Sequence, residues 1–158
     1  MFFQTQTIDD VTGTLIDYRG KTPPKTNQGV RLITAKVVKN GFISDEPKEF
    51  ISRDTYQKWM TRGFPQTNDI LLTTEAPLGE VAQIGILSEI ALAQRIILLR
   101  GKPAVINQDY YFFALQSQFV QAGLQARATG TTVLGIKQAE LRQVVIPTPP
   151  LPTQRKIA

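Results

Sequence analysis

The sequence predicts an α+β fold in a single domain. Three observations carry this expectation: apolar strand-like runs punctuated by turn residues, two stretches with helical periodicity, and no internal repeat, low-complexity tract or flexible linker before a proline-rich exit near residue 147. At 158 residues the chain is long enough to bury a core. Its 42% hydrophobic and 20% charged content excludes a disordered tail.

Taken in order, Thr7-Ile-Asp-Asp10 has the form of a capped helix start, with acidic side chains where the helix dipole favours them. Gly13 keeps that helix short. Residues 14–18 read as a strand, and residues 19–25 as an irregular basic loop, because Pro23 and Pro24 stop both helix and sheet. Residues 30–34 read as a strand and Asn40-Gly41 as a turn, since both residue types tolerate positive φ. Phe50-Ile51 is extended chain leading into a helix at Ser52, whose Tyr56, Trp59 and Met60 form an apolar core stripe; Gly63 supplies its stop. Residues 69–73 form a strand, 74–79 a turn and 81–84 a returning strand. Residues 91–99, rich in isoleucine and leucine, read as one further buried strand, ended by Gly101-Lys-Pro103. From Asn107, a plausible cap, to about Gln125 the pattern is helical, with Tyr111, Leu115, Phe119 and Ala122 at three- and four-residue spacing. A glycine-threonine loop, a short polar helix, a strand from Val145 and a proline strut then lead to a helix starting near Thr153. Residues 154–158 are barely one turn, too short to be stable alone or to dock a partner.

Composition removes whole classes of chemistry. Cysteine and histidine are both absent, which excludes disulfides, thiolate or imidazole metal sites, and Ser-His-Asp or Cys-His catalysis. No apolar run approaches the roughly 20 residues needed to span a bilayer, and Met1 is not followed by a basic signal-peptide region, so a cytoplasmic protein is expected. There is no Asn/Asp-Pro-Pro-aromatic methyltransferase signature and no glycine-rich phosphate loop. Glu46-Pro-Lys48 lacks the preceding Pro-Asp pair of a nuclease motif. No catalytic residue, cofactor or metal is expected. A carboxylate-dependent metalloenzyme would have to draw on Asp9, Asp10, Asp17, Asp45 and Glu46.

The net charge of +5 is unevenly spread. From Arg19 to Arg62 there are ten Lys/Arg against four Asp/Glu, so this segment carries +6 and the remainder −1. Such asymmetry favours a polyanionic partner; the plainer alternative is a solvated basic face.

Four stretches, in order, resemble the DNA specificity subunits of type I restriction-modification systems. They are Ile16-Asp-Tyr-Arg-Gly-Lys-Thr-Pro-Pro24, Asp69-Ile-Leu-Leu-Thr-Thr-Glu-Ala-Pro-Leu-Gly-Glu-Val81, Ala93-Gln-Arg-Ile-Ile-Leu-Leu-Arg100, and Gly130-Thr-Thr-Val-Leu-Gly-Ile136 with its helix, the Pro147 strand exit and Gln154-Arg155. Thr74 stands where the family often has arginine, and Asn68 where glycine is usual. The resemblance implies a single target recognition domain over residues 1–152, with a mixed, partly barrel-like β-sheet and several helices, and the start of a truncated or absent spacer helix at 153–158. It further implies reading of one half of a split double-stranded DNA sequence, without catalysis. Adenine methylation and cleavage would belong to partner modification and restriction subunits. A lone domain would act as a half-subunit that dimerises, or belong to a two-domain chain.

A DNA reader needs cations for phosphates and directional donors and acceptors for base edges. The candidates are Arg19, Lys21, Thr22 and Lys25 in the stiff proline loop, Lys36, Lys39 and Asn40 around the next turn, Arg62, Thr74, Arg95, and Arg127, Thr131 and Thr132 beside Gly130. If residues 91–99 form one strand, Arg95 and Gln94 point to opposite faces and only one of them can share the DNA side. Two alternatives remain open: the specificity part of a fused restriction-modification enzyme, and a subunit-assembly module that does not read DNA.

Overall fold

The alternation of apolar side chains along three strands places two cores on opposite sides of one sheet. In the computed structural model, which describes residues 4–18, 22–85 and 89–158, this sheet comprises β2 (Thr12–Asp17), β10 (Ile96–Gly101), β7 (Ile70–Thr74) and β8 (Leu78–Gln83), paired antiparallel in that order. Ile96, Leu98 and Leu71 face one core, whereas Ile97, Leu99, Ile70 and Leu72 face the other. A strand buried on both faces reads as a continuous apolar run, which is how Ile96-Ile-Leu-Leu99 reads.

On the first face lie the sheet of β6 (Glu49–Ile51), β3 (Val30–Ile33) and β9 (Ile90–Leu92), the hairpin of β4 (Val38–Lys39) and β5 (Phe42–Ile43), and helix α2 (Arg53–Trp59). The hairpin turns at Asn40-Gly41 as expected, with Gly41 at φ 94°. Ser52 caps α2, whose Tyr56 is buried with Met60 just beyond it. On the second face lie α1 (Ile8–Val11), α3 (Gln108–Leu115), α4 (Gln118–Arg127), α5 (Gln138–Leu141) and the two-stranded pair of β1 (Thr5–Thr7) with β11 (Val145–Pro147). Thr7 and Asp10 form the capping box that opens α1, and Asn107 caps α3. The β3–β9 pairing is parallel and the others are antiparallel, so the β-structure is mixed. None of the four sheets formed by the described residues closes on itself.

Two elements break where the sequence reads as continuous. Residues 91–99 are not one strand: β9 ends at Leu92, Gln94 and Arg95 make a turn with Arg95 at φ 68°, and β10 belongs to a different sheet. The apolar side chains before and after the turn are all buried, so hydropathy carries no trace of the break. Residues 107–125 are likewise two helices. Gln116 and Ser117 interrupt them, and the Ser117 hydroxyl caps α4 by accepting from the Val120 N–H. Helix α2 ends at Trp59 rather than at Gly63.

Helix α6 (Leu151–Ile157) begins two residues before Thr153, with Pro150 as its N-cap. Its brevity does not leave it loose. Gln154 is completely buried, accepts from the Asn107 N–H at 2.8 Å, and donates to the carbonyls of Val105 (3.1 Å) and Pro149 (2.8 Å). A fully satisfied buried carboxamide fixes orientation as well as position, because losing any partner strands a polar group. Asn68, where the resemblance leads one to expect glycine, sits at φ 74°. Asparagine is among the few residues that adopt this left-handed conformation readily, so it meets the same backbone requirement.

Candidate nucleic-acid interface

Four chain reversals meet at one end of the strands of the central sheet. The first is the Gln94-Arg95 turn, held at both ends by Ala93 N–H donating to Ile33 O (3.0 Å) and Thr74 N–H to Arg95 O (3.0 Å). The second is the β7–β8 turn at residues 75–77. The third is the loop of residues 129–135, closed at its base by reciprocal 2.9 Å hydrogen bonds between Thr129 and Gly135 and tied to the sheet by Ile136 N–H donating to Thr74 O. The last is the turn at residues 35–37 between β3 and β4, where Thr34 and Lys36 line a surface together with Thr22 and Lys25.

These reversals enclose two adjoining depressions. A cleft of about 480 Å³ is lined by Asp17, Thr74, Glu75, Thr129, Lys137 and Gln138, among others, and a smaller one of about 140 Å³ by Thr22, Lys25, Thr34 and Lys36. Gln94 and Arg95 line both. The surface is more balanced in charge than the sequence suggests. Arg95 pairs with Glu75 at 3.3 Å, and Glu49 accepts from Lys25 at 3.2 Å and Lys36 at 3.3 Å. Burial alone would raise the Glu49 pKa; hydrogen bonds and charge from the two lysines outweigh it and leave the carboxyl below its ordinary value.

The convergence covers part of the expected set. Thr22, Lys25, Lys36, Thr74 and Arg95 share the two depressions, and Thr131 and Thr132 are exposed on the 129–135 loop that borders them. Lys39 and Asn40 sit on the β4–β5 hairpin, where Asn40 borders a separate depression with Gln116 and Gln121. Arg62 is committed to the fold: its guanidinium donates to the Asp17 carbonyl and lies 5.8 Å from the Tyr18 ring centre. Arg127 pairs with Glu140 at 3.3 Å beyond the cleft lining. Arg19 and Lys21 lie outside the described residues. Gln94 shares the cleft with Arg95 because the two occupy a turn, where strand alternation does not apply. Lys137 and Gln138 also line it, and no spacing in the sequence marked them.

Backbone strain concentrates here. Three described non-glycine residues have positive φ, and two of them, Ala76 (49°) and Arg95 (68°), line the depressions. A left-handed L-residue costs about 1–2 kcal/mol, and such strain persists where the surroundings over-determine it. Arg95→Gly should therefore be more stable than Arg95→Ala by about 1 kcal/mol, despite glycine's freer unfolded chain. Urea unfolding of the two variants checks this, and alanine proving the more stable would refute the strain. Gly130 is a stricter case: at φ 122°, a Cβ there would meet Val133 O at 2.1 Å, so any side chain opens the turn.

Among the described residues no group of three or more carboxylates is placed to hold a metal ion. Asp9 instead pairs with Arg142, Asp10 accepts from the Thr7 N–H, and Asp17 accepts from Gln138. No described helix is long and apolar enough to cross a membrane.

Comparison with known proteins agrees with this architecture. The chain is similar in fold to the S subunit of a type I restriction-modification system from M. genitalium (TM-score 0.65, 20% identity, 99% of this chain and 37% of that one). It is also similar to the HsdS subunit from Thermoanaerobacter tengcongensis (TM-score 0.67, 17% identity, 98% and 35%). A third similar chain comes from work on complex assembly and conformational transition of the type I R-M system (TM-score 0.70, 17% identity, 98% and 36%). The protein thus spans little more than a third of the length of these chains. No curated protein matched by sequence. The family model for the type I restriction modification DNA specificity domain matches residues 3–158. With nearly its whole length matched, this chain belongs to the type I restriction-modification DNA specificity domain family.

Proposed function

We propose that this domain recognises one half-site of a split sequence in double-stranded DNA, as all or part of a specificity subunit. In this reading it has no catalysis of its own and directs adenine methylation and cleavage by modification and restriction subunits in the cytoplasm. In the same reading the recognition head ends where α6 (Leu151–Ile157) starts, and α6 begins a spacer helix; the domain would act as a homodimeric half-subunit or beside a second recognition domain. The observation that carries the reading is the convergence of Thr22, Lys25, Lys36, Thr74 and Arg95, from well-separated parts of the chain, on one surface. Phosphate-directed cations there flank hydroxyl and amide groups suited to base edges. Selection of bound duplexes from a random library, with and without a modification subunit, tests it. Enrichment of one short motif is expected; no enrichment under either condition would refute it.

Glu49 provides a second test. Its charge opposes phosphate at two of the proposed contacts, so Glu49→Gln should tighten binding to any duplex several-fold at low salt, read by fluorescence anisotropy. Stability at neutral pH should fall by about 1 kcal/mol or less, since both lysines are largely exposed. The sign of the pH dependence follows from the lowered pKa. The carboxylate's contribution is present above the ordinary value of 4.5 and is lost as pH falls through the lower folded value. Wild type and variant should converge in stability once pH has fallen below the lowered folded value, and a gap that persists there would assign the loss to something other than this ion pair.

A further inference from the structure

The two depressions share one side chain whose polar end no described residue engages. Of the two carboxamides lining the larger cleft, Gln138 donates to Asp17 and accepts from Arg142. Arg95 is paired with Glu75. Gln94 is half-buried and lies between the Lys25–Lys36 side and the Thr74–Lys137 side, yet its carboxamide has no hydrogen-bond partner among the described residues. Both its donor and its acceptor are therefore uncommitted within the fold and can exchange water for a ligand's groups. The turn that carries it is anchored to two different sheets, through Ile33 and Thr74, so the side chain is held on a rigid base. Rigidity of this kind lowers the entropy lost on docking.

Resting on the DNA-recognition reading above, we propose that Gln94 reads a base edge in the major groove, with adenine as its preferred partner. A carboxamide presents one donor and one acceptor side by side. Adenine's major-groove edge offers the complement, N7 as acceptor and the N6 amino group as donor. Guanine offers two acceptors there, cytosine a lone donor, and thymine one acceptor beside a methyl group, so none of them satisfies both ends. Lys25 and Lys36 on one side and Lys137 on the other would meet the phosphates and leave Gln94 facing the groove between them. The surrounding cations position the duplex, and Gln94 contributes sequence information.

The test compares motifs enriched from a random duplex library by the wild-type chain, Gln94→Ala and the near-isosteric Gln94→Glu. Wild type should enrich a motif with one A·T pair that becomes degenerate in Gln94→Ala while every other position is kept. Gln94→Glu should favour cytosine at that position, because a carboxylate accepts from the cytosine amino group. On the wild-type motif, Gln94→Ala should bind roughly five- to a hundredfold more weakly. Placing 7-deazaadenine at the same position should weaken the wild-type chain several-fold, a result that does not depend on a variant folding, and should leave Gln94→Ala unaffected. If Gln94→Ala enriches the same motif as wild type, or the deaza substitution affects both alike, the Gln94 assignment is overturned while DNA recognition stands. If the wild-type chain enriches no motif, DNA recognition fails and this assignment with it.

Discussion

Asp69→Ala should lower the unfolding free energy by about 3 kcal/mol, toward the lower end of the 3–5 kcal/mol lost when one partner of a buried ion pair is removed. Asp69 is 1% exposed and lies immediately before β7. Its carboxylate accepts from Arg100 Nε and Nη2, both at 2.7 Å, and from the Gln66 N–H at 2.7 Å. Hydrogen bonding to Asp69 raises the Arg100 pKa against the opposing effect of burial. Removing the carboxylate strands a cation and a backbone donor together. The Arg100 side chain keeps 27% of its exposure and so retains some hydration, which places the loss low in the range. Asp69→Asn keeps the shape without the charge and should fall between wild type and alanine. Urea unfolding measures all three. A loss under 1 kcal/mol for alanine would mean that the pair is no more than a surface bridge.

What the sequence made legible follows the physical reach of each signal. Capping is local, so Thr7 and Asn107 could be read directly, as could the Asn40-Gly41 turn. Alternation within β7 and β10 was hidden because both faces of the sheet are buried. The Gln94-Arg95 turn was invisible for the same reason: it interrupts an apolar run with only two polar residues and leaves no change in hydropathy around it. That single missed turn changed the reading of the site, since strand alternation had placed Gln94 and Arg95 on opposite faces. Charge was legible as a sum but not as a pattern. Arg62 is taken up by Asp17 and Tyr18 and Arg127 by Glu140, while Lys39 sits on a hairpin outside the lining of the two depressions, and these placements depend on tertiary contacts that no local spacing encodes.

Simultaneous replacement of Lys25, Lys36 and Arg95 by alanine should weaken duplex binding on the order of a thousandfold or more at low salt, given about 1.5 kcal/mol or more for each of three hydrogen bonds to a charged group. The same variant should bind with a plot of log affinity against log salt shallower by about 2.7, at about 0.9 per phosphate contact. The loss should exceed that of three isolated cations, because Glu49 and Glu75 would remain on the surface without their partners and repel the phosphates. Stability should change far less, since the three side chains are 42%, 64% and 50% exposed and exposed ion pairs contribute little. Lys39→Ala is the internal control: it removes one positive charge at a surface the two depressions do not include, and should leave the salt slope unchanged. An equal change in slope per charge removed at Lys39 and at the triple site would show that binding follows net charge alone. A slope that responds only to the triple site would localise the phosphate track to the surface around Gln94.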